Sequence, residues 1–394
     1  MKFEEMNLDK RILDALLDMK FSSPTEIQAK TMPLCLQGRD VIGQSMTGSG
    51  KTAAFAVPII QYIISKGGSG VEALVLVPTR ELCLQITEEM RKFAKYCKLN
   101  VAEVYGGVSI ENQIHSIRHA SIVVGTPGRI LDHMRRGTLS LRNVKILVLD
   151  EADRMLDMGF IDDMRMIINQ TPKERQTLLF SATMPEEITG LAHKYMKSPV
   201  RMTTQKHVEK HLLKQFYYDA KNDEKLSVLM HLIEKEKPSL ALIFCATRSR
   251  ADFVARNLHK NGFQARAIHG GLTQNTRTNV LAGFEIGKPR LLVATDVAAR
   301  GLDVKNISHI FNYDIPKNFD DYTHRIGRTA RLGKEGKAIS LLSREDHELF
   351  RRIVRDADIE KASLENFVPR RIRVYTDERR FSSRRERPRR RFSR

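Results

Sequence analysis

Short runs of apolar residues, separated by stretches of helical periodicity, set the pattern of this chain. Ala73 to Val77, Val101 to Tyr105, Ile122 to Val124, Ile146 to Leu149 and Thr177 to Phe180 are apolar almost throughout, as strands buried on both faces of a parallel sheet must be. Asp40 to Gly43 reads as a further short strand. At the start, Leu8, Ile12, Leu13, Leu16 and Leu17 recur at helical spacing over residues 7–20, with Asn7 as the expected N-cap, and Phe21 to Gln28 turns into a second helix. Lys66-Gly67-Gly68-Ser69-Gly70 is a flexible loop. From about Val200 to Leu213 the chain is polar and the rhythm stops. It resumes with Gln215 to Tyr218, Ala241 to Phe244, Ala265 to Ile268, Leu291 to Ala294, Ile307 to Phe311 and Ala338 to Leu342. The expectation is an α/β protein of two tandem domains with mostly parallel sheets, over 1–204 and 214–366, joined by a linker at 205–213. Beyond Phe367 the apolar periodicity ends, and residues 367–394 are expected to be disordered.

A chain of 394 residues accommodates two or three such domains, each with its own core. Its net charge of +19 points to a polyanionic partner. Cys35, Cys83, Cys97 and Cys245 show no C-x-x-C spacing and lie in or beside apolar runs, so they read as buried thiols and not as ligands or disulfides. The first residues, Met1-Lys2-Phe3-Glu4-Glu5, lack the apolar core of a signal peptide. The longest apolar stretch, Ala53 to Ile64, is broken by Pro58 and Gln61 and is shorter than the roughly 20 residues a membrane span needs. The expected protein is soluble and cytoplasmic, without a membrane partner.

The candidate chemistry sits at the ends of the predicted strands, where open α/β sheets bind their ligands. Asp150-Glu151-Ala152-Asp153 follows one apolar run, and such acids can hold a metal and orient a water. After the strand at Asp40 to Gly43 comes Ser45-Met46-Thr47-Gly48-Ser49-Gly50-Lys51-Thr52, then the helix-opening Ala53-Ala54-Phe55-Ala56. This matches the P-loop pattern except at Ser45: glycines let backbone N–H groups curl round phosphate oxygens, Lys51 adds charge, and the Thr52 hydroxyl can ligate Mg²⁺. The second domain has no P-loop. It has His324-Arg325-Ile326-Gly327-Arg328-Thr329-Ala330-Arg331, a cationic cluster suited to stabilising charge on a transferring phosphoryl group, where an arginine from outside the P-loop domain can add on the order of 10³ to 10⁵ in rate. A P-loop in one domain and arginines in the other imply a nucleotide-driven switch.

Taken together and in this order, the motifs resemble those of the DEAD-box RNA helicases of superfamily 2 over about residues 1–365. Phe21, Pro24, Thr25, Ile27 and Gln28, with Phe3 upstream, are similar to the family's Q motif. The resemblance implies that Gln28 reads adenine and that an aromatic side chain stacks on it; Lys20 stands where glycine is usual. Ser45 to Thr52 is similar to motif I and Asp150 to Asp153 to motif II, which implies Asp150 for the Mg²⁺ shell and Glu151 for the attacking water. Asp153, in place of histidine, separates this branch from the DEAH group. Ser181-Ala182-Thr183 resembles motif III, which links ATP state to RNA grip. Arg325 and Arg328 are implied as the arginines on the γ-phosphate, His324 as a contact to motifs II and III, and Asp303 as a contact to the ribose; Ala330 stands where glycine is usual.

For RNA, the similar motifs are Pro78-Thr79-Arg80, Gly106-Gly107, Thr126-Pro127-Gly128-Arg129, His269-Gly270, Gln274 with Arg277, and Thr295-Asp296. Singly each is an ordinary turn, and their ordered recurrence gives the assignment its weight. Contacts of this kind go to sugar and phosphate and not to base edges, so binding of single strands and short duplexes is expected to be largely independent of sequence. The implied activity is ATP-dependent RNA unwinding or remodelling, with ATP and Mg²⁺ as cofactors. An ATP-gated RNA clamp or annealing chaperone is the alternative, and a DNA translocase a weaker one. Residues 369–394 hold 12 arginines, no lysine and three acids, interleaved with Tyr375, Phe381 and Phe392. Guanidinium groups fork to phosphates and stack on bases, so this tail is expected to tether RNA in a salt-dependent way.

Overall fold

The structure, a computed structural model, describes residues 2–45, 48–204, 212–299, 304, 306–330, 334–354, 359–364 and 375. The chain divides into two units, one of residues 1–211 with 300–305 and one of 212–299 with 306–394. Each is built on its own sheet.

The first sheet contains β1 (Val41–Gln44), β2 (Ala73–Leu76), β3 (Val101–Val104), β4 (Ile122–Gly125), β5 (Ile146–Asp150), β6 (Gln176–Ser181) and β7 (Val200–Thr203). They lie in the order β3-β4-β2-β5-β6-β1-β7, and every ladder is parallel. Alternation along the strands explains the uninterrupted apolar runs. Val75 and Val148 enter the core on one face, with Phe55 and Ile86 of the helices Lys51–Lys66 and Arg80–Phe93. Leu74, Leu76, Leu147 and Leu149 enter the core on the other. Phe55 meets Phe180 with ring centroids 5.5 Å apart, fixing the P-loop helix against β6.

The second sheet contains β8 (Leu213–Asp219), β9 (Ala241–Cys245), β10 (Ala265–Ile268), β11 (Leu291–Thr295), β12 (His309–Asn312), β13 (Gly336–Leu342) and β14 (Glu360–Lys361). Their order is β10-β11-β9-β12-β13-β8-β14, again parallel at every pairing. The two units therefore have the expected α/β architecture, each a parallel sheet with crossover helices, and they share one strand order.

Three details differ from the sequence reading. Val200–Thr203, within the polar stretch, is an edge strand paired with β1; half-buried Val200 and Met202 alternate with exposed Arg201 and Thr203, so no apolar run announces it, and its exposed arginine guards a sheet edge. β8 begins at Leu213, at the edge of the expected linker. Asn7 is not the N-cap of the first α-helix, Lys10–Asp18: that is Asp9, whose side chain accepts from the Arg11 backbone N–H at 2.9 Å. Asn7 instead ends the short 3₁₀ helix Phe3–Met6 in left-handed conformation.

All four cysteines are buried and free; burial pushes the thiols of Cys35 and Cys83 up to about 12. Among the described residues no helix is long and apolar enough to cross a membrane. Residues 367–374 and 376–394, the expected tail apart from Tyr375, lie outside the described residues.

Candidate functional site

In the first unit the candidate residues gather at the carboxyl ends of the strands, and the strand order sorts them. The ends of β1, β5 and β6 carry Ser45, Asp150 and Ser181, whereas the ends of β2, β3 and β4 lead into Pro78, Gly106 and Thr126. The motifs implied for nucleotide and those implied for RNA thus occupy neighbouring halves of one edge.

On the nucleotide half, helix Lys51–Lys66 starts straight after the glycine turn, with Gly48 and Gly50 in left-handed conformation. Lys51 is buried and donates from Nζ to the Ser45 carbonyl at 3.1 Å. The hydroxyls of Ser45 and Ser49 are 2.8 Å apart, and Thr52 is half-buried. Met46 and Thr47 lie outside the described residues.

Helix Glu26–Leu36 braces the loop from outside. Thr25 donates its hydroxyl to the Ser49 carbonyl at 2.8 Å, and Gln28 donates through Nε2 to the Gly50 carbonyl at 3.0 Å. The Thr25 backbone N–H in turn donates to Gln28 Oε1 at 2.9 Å, the return arm of a capping box. Phe3 is buried in the core, its ring edge-on to Phe21 at 6.3 Å. Half-buried Phe21 is the more accessible of the two.

The acids sit together. Asp150, Glu151 and Asp153 are all buried, and Glu151 adopts φ 50° and ψ 49°, an unusual conformation for a side-chain-bearing residue that tends to mark functional sites. Burial, opposed by the charge of Lys51 and reinforced by that of Glu151, pushes the Asp150 carboxyl up to about 7. That group gains from a nearby cation when it ionises. Asp153 Oδ2 accepts from the Thr183 backbone N–H at 2.8 Å and from its hydroxyl at 3.0 Å. The Asp153 backbone N–H donates to Ser181 Oγ at 3.2 Å. The acid motif and Ser181-Ala182-Thr183 therefore form one hydrogen-bonded block.

Among the described residues, no three acidic, histidine or cysteine side chains are placed to hold a metal by themselves. Mg²⁺ is usually held by one or two carboxylates plus substrate phosphates, and Asp150 and the Thr52 hydroxyl are oxygen donors of that kind.

On the other half, Thr79 caps helix Arg80–Phe93. A Cβ on Gly107, which has φ 87°, would fall 2.2 Å from Arg80 Nη1, so the Arg80 guanidinium lies directly on the Gly106-Gly107 turn. Arg129 donates to the carbonyl of Val108, the residue after the turn, at 3.2 Å and to Gln113 Oε1 at 3.1 Å. Two guanidinium groups thus lie at Gly106-Gly107-Val108. Thr126 precedes helix Pro127–Arg135 with no side-chain cap bond of its own, and Gly128 is exposed.

In the second unit, buried His269 points Nε2 at Asp252 Oδ1, 2.8 Å away, while its Nδ1 accepts from the Gly271 backbone N–H. Gly270 is exposed beside it. Gln274 and Arg277 lie half-buried in the helix Gln274–Glu285, and Thr295 closes β11. Arg325 and Arg328 are both nearly fully buried, with His324 half-buried beside them. Arg325 forks onto Asp296 at 2.6 and 2.8 Å, so the Asp296 carboxylate, implied to face RNA, is engaged with an arginine implied to face phosphate. Asp303 lies outside the described residues.

Sequence reasoning missed Gln113, His133, Asp252, Asn312 and Arg154. Gln113 accepts from Arg129, donates to the Tyr105 carbonyl and contacts His133 Nε2. Its signal was available: it stands four residues before Ile117 on the buried stripe of helix Ile110–Arg118, a polar residue where the period asks for an apolar one. Arg154, also buried, lies 3.9 Å from Glu151.

A sheet edge shared between a phosphate-type loop with buried acids and a turn bearing arginines, followed by a second unit of the same strand order with buried arginines, is the arrangement of a tandem RecA-like protein. The DEAD/DEAH box helicase family model matches residues 25–191, and that of the helicase conserved C-terminal domain matches residues 224–333. An ATP-dependent RNA helicase CshA of Listeria monocytogenes is 49% identical over 344 residues, covering 86% of this chain and 66% of the relative. A DEAD-box ATP-dependent RNA helicase CshA of Geobacillus kaustophilus is 46% identical over 343 residues, covering 86% and 73%. The solved structure of S. cerevisiae Dbp5 bound to RNA and ADP BeF3 superimposes with TM-score 0.83 at 32% identity, covering 92% of this chain and 95% of that one. The chain belongs to the DEAD-box RNA helicase family.

Proposed function

We propose that the protein is an RNA-stimulated ATPase that locally unwinds short RNA duplexes or remodels RNA–protein complexes. The observation that carries this reading is the division of one sheet edge between the P-loop with its acids and the Gly106-Gly107 turn, against which Arg80 lies and beside which Arg129 holds the Val108 carbonyl. Gly48, Ser49 and Gly50 offer backbone N–H groups to the β- and γ-phosphates, and Lys51 exchanges its bond to the Ser45 carbonyl for a phosphate oxygen. Phe21, backed by Phe3, packs on the adenine, whose identity Thr25 and Gln28 sense. Asp303 takes the ribose.

Thr52 and Asp150 would hold Mg²⁺, which when bound would supply charge neutralisation for the phosphoryl group. Glu151 orients the attacking water and accepts its proton. Arg325 and Arg328 stabilise the charge that develops on the γ-phosphate. Asp153, bonded to Thr183 and Ser181, and His324 relay the nucleotide state.

RNA lies along Pro78, Thr79, Arg80, Gly106, Gly107 and Thr126 to Arg129 in the first domain, and along His269, Gly270, Gln274, Arg277 and Thr295 in the second. These groups address sugar and phosphate, so binding is indifferent to base sequence, and the arginine-rich tail adds a salt-sensitive tether. The test is steady-state ATP turnover with and without single-stranded RNA, with equal DNA as control, on the parent chain and on Glu151→Gln. RNA-dependent turnover abolished by the substitution is expected. Turnover indifferent to RNA would remove the helicase reading and leave an ATPase with another activator.

A further inference from the structure

Arg325 is held at every side. Its Nε donates to Asp296 Oδ1 at 2.6 Å and its Nη2 to Asp296 Oδ2 at 2.8 Å; its Nη1 donates to Asn312 Oδ1 at 3.1 Å and to the Asp314 carbonyl at 2.7 Å. A guanidinium has five N–H donors. Among the described residues four are committed, which leaves one, on Nη2. The plane of the group rests over the Phe244 ring, 4.8 Å from its centroid.

The holders are themselves fixed. Asn312 is fully buried, and its Nδ2 donates to Ser340 Oγ at 3.0 Å, so its amide cannot turn round and its oxygen must face the arginine. Asp314 is tied to the end of β9 by the Ala246 backbone N–H, which donates to Asp314 Oδ2 at 2.9 Å.

The arrangement crosses the sheet. Asp296 follows Thr295, the last residue of β11; Phe244 is on β9 beside it; Asn312 ends β12 beyond β9, and Arg325 is on the helix Phe319–Ile326 that follows β12. The fork between Asp296 and Arg325 therefore joins the RNA-facing end of β11 to the phosphate-facing helix, over the strand that separates β11 from β12.

From this we infer that Asp296 is a positioning residue for Arg325: a strut that presents one guanidinium N–H to the γ-phosphate and conveys the placement of the β11 tip on RNA to that N–H. The inference rests on the reading of Arg325 as a phosphate-facing arginine and of Thr295 as an RNA contact. A donor fixed at four points needs no reorganisation as charge develops, and a displacement of about 1 Å in such a group can cost on the order of 10²-fold in rate. The bidentate fork supplies both the hold and the direction. An RNA contact through this carboxylate would place a negative group, already satisfied by Arg325, against a phosphate chain; the strut assigns its charge to the arginine.

The experiment is Asp296→Asn, which keeps the shape of the side chain but sets an NH₂ against one arm of the guanidinium. Turnover is measured at saturating RNA and ATP, and nucleotide-free affinity for a fluorescent single-stranded RNA by anisotropy. The strut predicts a 10- to 100-fold fall in kcat at saturating RNA with RNA affinity within twofold of the parent. It also predicts that Asp296→Asn adds less than twofold to the defect of Arg325→Ala, because both substitutions break one interaction. Asn312→Ser, which removes a single anchor and spares the fork, provides a second variant should the first fold poorly, and a 3- to 10-fold fall with the same split is expected. Unchanged kcat in both variants overturns the strut. So does a loss of RNA affinity that matches the loss of kcat, with additive effects in the double variant, since Asp296 would then act on RNA directly. The parent chain is assayed alongside, so a lack of RNA stimulation there defeats the broader reading independently of either variant.

Discussion

Gln28 Nε2 donates to the carbonyl of Gly50, 3.0 Å away, across the space between the second helix and the phosphate loop. With Thr25 on the Ser49 carbonyl, two successive loop carbonyls are held by the motif that the family resemblance assigns to adenine. The residues implied to read the base and the backbone of the phosphate loop are therefore one hydrogen-bonded unit. Gln28→Glu replaces the donor with a carboxylate facing a carbonyl oxygen, in a fully buried position. Losing a buried donor in this way costs about 1–3 kcal/mol, so KM for ATP should rise roughly tenfold or more while RNA affinity in the absence of nucleotide holds. Steady-state kinetics on the variant, with GTP as a competitor, check this; an unchanged KM would detach Gln28 from the loop.

The carboxyl of Asp150 is raised from 3.8 to about 7, chiefly by burial. The folded state thus binds a proton there that the unfolded chain has released, and the stability this supplies is lost as pH climbs from about 4 through 7. Asp150→Asn removes the ionisation and can still accept from the Glu151 backbone N–H, which now donates to Asp150 Oδ1 at 3.0 Å. Without nucleotide, the variant should be more stable than the parent at pH 8 by on the order of 2–4 kcal/mol, with the margin shrinking as the pH is lowered towards 4. Mg²⁺ and ADP should narrow the gap by stabilising the parent more than the variant. Urea melts across this pH range decide it, and a variant weaker than the parent at pH 8 would refute the assignment of the burial cost to this carboxyl.

What was legible in the sequence follows from what burial does to a pattern. Strands buried on both faces become apolar runs, so β2, β4, β5, β9 and β11 stood out. β7 has one face in water and a partner on one side only, and its alternation of Val200, Arg201, Met202 and Thr203 passed for loop. The P-loop and the acid motif are contiguous and readable. The fork between Asp296 and Arg325 is not, because 29 residues separate its partners and only the order β11-β9-β12 brings them together. The same holds for Arg80 on Gly107, which follow β2 and β3, strands brought to either side of β4 by the sheet order.

Two positions where the family usually has glycine carry side chains here, and the backbone shows why glycine is usual. Lys20 has φ 61° and Ala330 φ 53°, a region that costs an L-residue roughly 1–2 kcal/mol. Glycine removes that strain but enlarges the freedom of the unfolded chain, an offset of about 0.5–1 kcal/mol. Lys20→Gly and Ala330→Gly should each stabilise the protein by about 0.5–1 kcal/mol, read as a higher urea midpoint with an unchanged slope. Lys20 is exposed, so its substitution is the cleaner test, and a lower midpoint there would mean that its contacts outweigh the strain.

The Gly106-Gly107 turn gives the most direct test of the RNA face. Gly107 needs φ 87°, and any Cβ there would meet Arg80 Nη1 at 2.2 Å. Gly107→Ala must therefore strain the turn, displace the guanidinium, or both. If Arg80 addresses a phosphate from this position, the substitution and Arg80→Gln should remove the same contact. Each should weaken single-stranded RNA binding about tenfold and lower the slope of log affinity against log salt by about 0.7, the value for one single-strand phosphate contact. The double variant should be little worse than either alone, since neighbours acting through one contact are not additive. KM for ATP without RNA should stay near that of the parent, because the turn follows β3 and the phosphate loop follows β1, and four strands separate these two in the order β3-β4-β2-β5-β6-β1-β7. Anisotropy titrations at several salt concentrations measure all of this, and an unchanged salt slope in Arg80→Gln would show that its guanidinium shapes the turn without touching the RNA backbone.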